Sequence, residues 1–160
     1  MPCEREEKLR SATVDEVGWF LRRCIDGELN GIWPMLFDPD RLRECDEFVV
    51  TEYGGQVIGV AALACRGIDG HTGPTLATLY VSKRWQKKGV GLRLCEEAIR
   101  RSMRRGERSL FCDVTTKAMH NTIEKLSPEL QQHMELDLSY QRYGDEWETL
   151  AELGVARKPS

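Results

Sequence analysis

The sequence has no paired-cysteine motif. Its six cysteines, Cys3, Cys24, Cys45, Cys65, Cys95 and Cys112, stand about twenty residues apart with no C-x-x-C, which excludes the common zinc grips and dithiol exchange. They are expected reduced and mostly buried. Histidine is scarce: His71, His120 and His133 are too dispersed to suggest a metal site, and none is expected. No apolar run approaches the roughly 18 residues that a membrane helix requires. The opening MPCEREEKLR is charged where a secretory leader turns apolar, so a cytoplasmic protein without a membrane partner is expected. Repeats, low-complexity stretches and linkers are lacking too. Residues 1–160 read as one domain, with about ten loose residues at the start and six at the end.

What is present is unevenly charged. The chain carries a net −3, yet Lys83 to Arg108 holds ten Lys and Arg against three Glu, a local +7 that leaves −10 elsewhere. This segment attracts anions on an otherwise acidic protein. The overall acidity, and the lack of interleaved aromatics beyond Trp85, argue against nucleic acid as a partner. The arginines Arg100, Arg101, Arg104 and Arg105 read as a solubilising helix face.

Thr13 to Glu16 has the form of a capping box, and Val17, Phe20, Leu21 and Cys24 follow at helical spacing to about Gly27. Residues 30–37 read as a loop, followed by a short helix capped by Asp38 with Pro39 in first position. Glu47–Tyr53 and Gln56–Cys65 are β-rich runs joined by Gly54-Gly55, a hairpin signal. A third strand is expected over Thr75–Ser82. A helix with the stripe Val90, Leu94, Cys95, Ala98, Ile99 and Met103 then ends at Gly106. Ser109–Thr115 reads as a buried strand, Thr116 opens a helix, and Ser127-Pro128 starts another. Met134, Leu136, Leu138 and Tyr140 alternate with polar residues as a half-exposed strand. For residues 146–153, Asp145 with Glu148 offers a helix cap, while Trp147, Thr149, Ala151 and Leu153 offer a strand face; a strand is expected. The order is α+β around a mixed sheet.

Between the third strand and its helix lies Gln86-Lys87-Lys88-Gly89-Val90-Gly91. A helix N-terminus presents unpaired N–H donors and a partial positive charge, so anions bind there favourably. A Walker loop is excluded because Lys88 precedes Gly89 and no Ser or Thr follows; a dinucleotide fingerprint is excluded because Leu94 stands where its third glycine belongs. The remaining pattern is Q-x-x-G-x-G.

With its flanks, TLATLYVSKRWQKKGVGLRLCEEAIRRSMRRG resembles the acyl-CoA-binding core of the GNAT acetyltransferase superfamily, and the likeness runs from the EFVVTEYGGQVIGVAAL hairpin to SLFCDVT. The resemblance implies a mixed, mainly antiparallel sheet of about six to seven strands flanked by helices. It implies acetyl-CoA as co-substrate and an amine acceptor, small molecule or protein. Backbone N–H groups of the Gln86–Gly91 loop would bind the coenzyme pyrophosphate, with Gly89 and Gly91 bare and Lys87, Lys88 and Arg84 as outer contacts. Val90 shares that loop. Leu79, Tyr80 and Val81 would splay from the next strand and pair with the pantetheine arm, and Asn121 would contact the same arm.

The catalytic positions depart from the family. Where many members carry a glutamate at the start of the third strand, this chain has Thr75, which is no base. His71 and Glu52 are the candidates for that role. The family's tyrosine acid falls on Pro128, which leaves Ser127, Tyr140 or Tyr143 to protonate the thiolate. Trp19, Trp33, Phe37 and Trp147 are candidate walls of the acceptor site. An N-acetyltransferase is expected, with an acyl-CoA sensor of the same fold as the alternative, and any homodimer is expected through the last strand.

Overall fold

The computed structural model describes residues 6–29, 31 and 34–152. Six strands lie in chain order in one sheet: β1 (Glu7–Ala12), β2 (Glu47–Tyr53), β3 (Gln56–Ala64), β4 (Thr75–Val81), β5 (Leu110–Asp113) and β6 (Met134–Asp137). The first four pair antiparallel, and β4–β5 and β5–β6 are parallel, so the sheet is mixed and mainly antiparallel. Helix α1 (Val14–Glu28) and the short α2 (Pro39–Arg43) cover one face. Helices α3 (Val90–Arg104), α4 (Lys117–Glu124) and α5 (Pro128–His133) cover the other, each over its own apolar cluster. Two further helices, α6 (Tyr140–Tyr143) and α7 (Glu146–Glu152), close the described chain.

Local chemistry accounts for most boundaries. The Thr13 hydroxyl accepts from Glu16 N–H at the start of α1, but Glu16 turns to Arg10 rather than back to the cap, so only half of the capping box forms. Asp38 caps α2 with Pro39 in its first turn, and Thr116 and Ser127 cap α4 and α5. Gly54 and Gly55, at φ +57° and +80°, make the tight hairpin turn between β2 and β3. On α3, Val90, Leu94, Cys95, Ala98 and Ile99 are buried.

Two bulges shape the sheet. In the β2–β3 ladder Ile58 is the extra residue, because Thr51 pairs with Gly59 and Glu52 with Val57; this turns Ile58 toward α3. Beside it, a Cβ on Gly59 would stand 2.9 Å from Leu94 Cδ1 and 3.3 Å from Val90 Cγ1, so glycine here allows the first turn of α3 to lie close on β3. In the β3–β4 ladder Ala77 is the extra residue, between Leu76 opposite Leu63 and Thr78 opposite Ala62.

Three sequence expectations are corrected. Residues 7–12 are a strand, not a loose end. EKLRSA has only Leu9 and Ala12 as apolar residues, three apart, and so no alternation to read. It is held by β2 and by ion pairs of Arg10 with Glu16 and Glu52 and of Glu7 with Arg93. The strand from Met134 stops at Asp137, because Ser139 turns helical and its hydroxyl donates to the Val114 carbonyl and to Asp113. Residues 146–152 are helix, not strand: the Asp145 carboxylate accepts from Trp147 N–H at 2.8 Å and Glu148 N–H at 3.3 Å, and Trp147 and Leu150 turn inward at helical spacing. Leu153, part of the expected strand face, lies outside the described residues, as do Trp33 and Cys3.

Candidate active site

Strands β4 and β5 share a single register pair, Thr75 opposite Phe111, with Phe111 N–H bonded to the Pro74 carbonyl at 2.9 Å. Beyond it they diverge. The bulge at Ala77 supplies a cause, because a bulged strand bends and twists away from its neighbour. Ser82 N–H donates to Ile58 of β3 at 2.9 Å, so by strand alternation the N–H groups of Leu79 and Val81 point into the gap. The Gln86 amide donates to the Val81 carbonyl at 2.7 Å, which ties the following loop to the strand edge.

That loop has unusual backbone. Lys87 has φ +64° and Gly89 φ +82°, both left-handed, and α3 begins at Val90 with no side chain capping its first turn. The N-terminal amides of α3 are thus presented bare beside the gap. The two glycines have different reasons. Gly89 is required by its φ, and a Cβ there would also meet Arg93 Nη1 at 2.7 Å. Gly91 sits inside the helix, and a Cβ would lie 3.6 Å from Val81 Cγ2, an ordinary contact. Folding does not demand glycine at 91.

The surrounding cations are engaged. Arg93 pairs with Glu7 and reaches the Lys88 carbonyl at 3.2 Å. Lys88 Nζ and the Arg84 guanidinium lie 5.1 and 5.7 Å from the Trp85 ring centre, and Trp85 packs on Tyr53. Along α3, Arg101, Arg104 and Arg105 pair with Glu97, Glu47 and Glu107, so much of the positive segment is neutralised within the fold.

On the α1 side one residue gathers the end of β4. Glu28, last in α1, accepts from the Tyr80 hydroxyl at 2.6 Å, from Ser82 Oγ, and from Lys83 N–H at 3.1 Å. Burial, reinforced by the hydrogen bond to Glu28, pushes the Tyr80 phenol far above its ordinary range, so it stays protonated as a donor. Phe37 meets Tyr80 edge-on at 4.8 Å, and Trp147 packs on it at 5.6 Å. Sequence reading missed Glu28 because its partners lie more than fifty residues away.

The gap opens as a narrow slot of about 50 Å³, lined by Leu79, Tyr80, Thr115, Met119, Glu146 and Trp147 among others. It adjoins a larger cleft of about 700 Å³ between the loop before β4 and the α6–α7 segment. The cleft holds two ion pairs, Arg41–Asp69 and Arg142–Asp137, together with Asp113 and Glu146. Burial raises the Glu146 carboxyl above its ordinary range, partly offset by a hydrogen bond from Thr115 and by the charge of Arg41.

This shift has a stability consequence. A carboxyl whose folded pKa is raised stabilises the fold fully below its unfolded pKa and loses that contribution as pH rises through the folded value. Glu146→Gln should therefore raise Tm relative to the wild-type chain at neutral pH, with the advantage vanishing below about pH 4. Thermal melts across that range check it.

The structure separates the catalytic candidates. His71 lines the cleft and stacks on Phe111 at 3.9 Å, and Thr75 lines the same cleft with its hydroxyl bonded to the Gly73 carbonyl. Glu52 is on β2, two strands from the gap, and pairs with Arg10. Ser127 accepts from Leu130 N–H as a helix cap. Tyr140 is half-buried against the cluster on the α3 face of the sheet, its hydroxyl 2.7 Å from His120 Nδ1. Tyr143 stands largely exposed at the cleft. Asn121 is exposed on α4. Of the aromatic candidates, Phe37 and Trp147 line the slot, whereas Trp19 lines a separate concavity between α1 and α2.

The chain belongs to the GNAT acetyltransferase family, whose model matches residues 15–126. An amino-acid acetyltransferase of Aeromonas salmonicida is 28% identical over 117 residues, covering 73% of this chain but 26% of that protein, so the chain spans about a quarter of the curated relative's length. Among solved structures, a GNAT family acetyltransferase from Brucella melitensis in complex with acetyl-CoA is 17% identical, with a TM-score of 0.53 over 67% of this chain and 75% of its own. The glucosamine N-acetyltransferase region of a fungal multi-domain β-N-acetylglucosaminidase is 19% identical, with a TM-score of 0.54 over 69% of this chain and 14% of that protein.

Proposed function

We propose that this protein is an N-acetyltransferase that moves an acetyl group from acetyl-CoA to a primary amine by direct attack on the thioester. The observation that carries the reading is the gap between β4 and β5 lying beside an uncapped helix start at which folding leaves position 91 free for a side chain, yet glycine stands there. The N–H groups of Gly89, Val90 and Gly91 and of the loop before them would hold the pyrophosphate, with Lys87 and Lys88 outside it. The Leu79 and Val81 backbone would align the pantetheine arm as an added strand, and the Val81 N–H would polarise the thioester carbonyl. Membership of the family supports this, as does a structural neighbour bound to acetyl-CoA.

The acceptor is an amine of a small molecule or protein. Relatives are named for amino acids and glucosamine, and one solved structure holds a CoA–acetylneamine bisubstrate analogue, so amino acids, glucosamine and neamine form the first panel. A second reading, a coenzyme-binding sensor with little turnover, is favoured by Thr75 and Pro128 standing in place of the family's usual base and acid.

Thermal melts with acetyl-CoA and CoA, followed by thiol release over the amine panel, test both. A ligand at a hundredfold excess over its Kd adds about 2.7 kcal/mol of stability, which appears as a clear rise in Tm. Absence of any shift with either coenzyme form sinks both readings. A shift with no thiol release on any amine leaves the sensor.

A further inference from the structure

The cleft contains a carboxylate that forms no ion pair with any cation among the described residues. Glu146 lines both the slot and the cleft, at their junction. Asp69 and Asp137 in the same cleft are each paired with an arginine, whereas Glu146 has no ion-pair partner among the described residues. Thr115 holds it twice. The Glu146 N–H donates to the Thr115 carbonyl at 3.0 Å, and the Thr115 hydroxyl donates to Oε2 at 3.0 Å. Oε1 has no hydrogen-bond partner among the described residues. Thr75, on the wall formed by β4, lines the same cleft without an acid.

We propose that Glu146 takes the proton from the acceptor ammonium, supplying from α7 the carboxylate that β4 lacks. The inference rests on the N-acetyltransferase reading above. One proton passes from the ammonium to Glu146 and then to solvent. The amine nitrogen attacks the thioester carbonyl carbon; a C–N bond forms and the C–S bond breaks. The second nitrogen proton leaves with the thiolate, giving amide and free CoA thiol.

The surroundings suit the role. Burial favours the neutral carboxyl and so raises its proton affinity toward the neutral range in which a base is most effective. Asp145, at the start of its own helix, and Asp113, on β5, push the same way, and Arg41, on α2, opposes them. Asp69, His71, Asp137, Arg142 and Tyr143 complete the charged or titratable groups around the cleft. A primary ammonium entering here meets a cleft whose arginines are both already paired.

The experiment compares wild type, Glu146→Gln and Glu146→Asp for acetyl-CoA thermal shift and for the pH dependence of kcat/KM, with the panel amine that gives the fastest thiol release. Glu146→Gln is expected to keep the acetyl-CoA shift, to lose about 10²–10⁴-fold in kcat/KM, and to lose the acidic limb of its pH profile. Glu146→Asp is expected to restore that limb in part. A second variant guards against a folding defect: Thr115→Val removes the hydrogen bond that favours the ionised carboxylate, and should move the acidic limb to higher pH. Wild-type turnover with an unchanged rate and profile in Glu146→Gln, or an unmoved limb in Thr115→Val, overturns the assignment. Failure of the wild-type chain to bind acetyl-CoA or to turn over any amine instead overturns the N-acetyltransferase reading, and this inference with it.

Discussion

Replacing Gly91 with leucine is expected to abolish the thermal shift produced by acetyl-CoA while leaving the unliganded protein folded. A Cβ at 91 makes only an ordinary 3.6 Å contact with Val81, and the residue lies within a helix where glycine is a poor choice. Gly91→Ala should therefore raise stability by about 0.5–1 kcal/mol, the usual gain when alanine replaces glycine in a helix. The leucine variant carries the side chain further, into the space beside β4 where the coenzyme backbone would pass. Urea unfolding measures the first effect and ligand-dependent melting the second. A leucine variant that still melts higher with acetyl-CoA would remove the argument that position 91 is kept bare for a ligand. Gly89 offers no such separation, since its positive φ makes any substitution strained before a ligand is considered.

The largest loss of stability is expected at Arg41. Its guanidinium is buried, donating to the Ala77 carbonyl at 2.7 Å, to Thr78 Oγ1 at 2.9 Å and to Asp69 at 2.8 Å. Ala77 is the bulged residue of β4, so its carbonyl has left the regular ladder and takes its hydrogen bond from this side chain. Arg41→Ala removes that donor, leaves a void, and should cost about 2–4 kcal/mol. Asp69 is half exposed, so water replaces much of its lost partner, and Asp69→Asn should cost less than about 1 kcal/mol. The contrast separates repair of the bulge from the ion pair. Equal losses from the two variants, read by urea unfolding, would contradict it.

The helices with caps, the glycine hairpin and the glycine loop before α3 were legible because each is written in adjacent residues: Thr13 before Val17, Gly54-Gly55, Gln86 to Gly91. Strand β1 was not, since its place depends on pairing with residues 36 to 46 positions away and half of its side chains are charged. The final segment carried two local signals, and the cap at Asp145 prevailed over the alternation once Trp147 found Tyr80. The loop before α3 was therefore readable, and the residues that gather around the cleft were not. Glu28, Arg41 and Glu146 come from three helices and meet β4 or β5 only in the fold. The two bulges that aim β4 and seat α3 leave no mark in composition.

Glu28 ties the helix on one face of the sheet to the tyrosine, the serine and the backbone amide that lead into the Gln86–Gly91 loop on the other. These contacts act as a common hinge pin. On the proposed N-acetyltransferase reading, an acceptor that displaces the α1 terminus would also shift Ser82 and Lys83, and with them the loop that leads to Lys87. Linkage would then require the coenzyme to change acceptor affinity by the same factor.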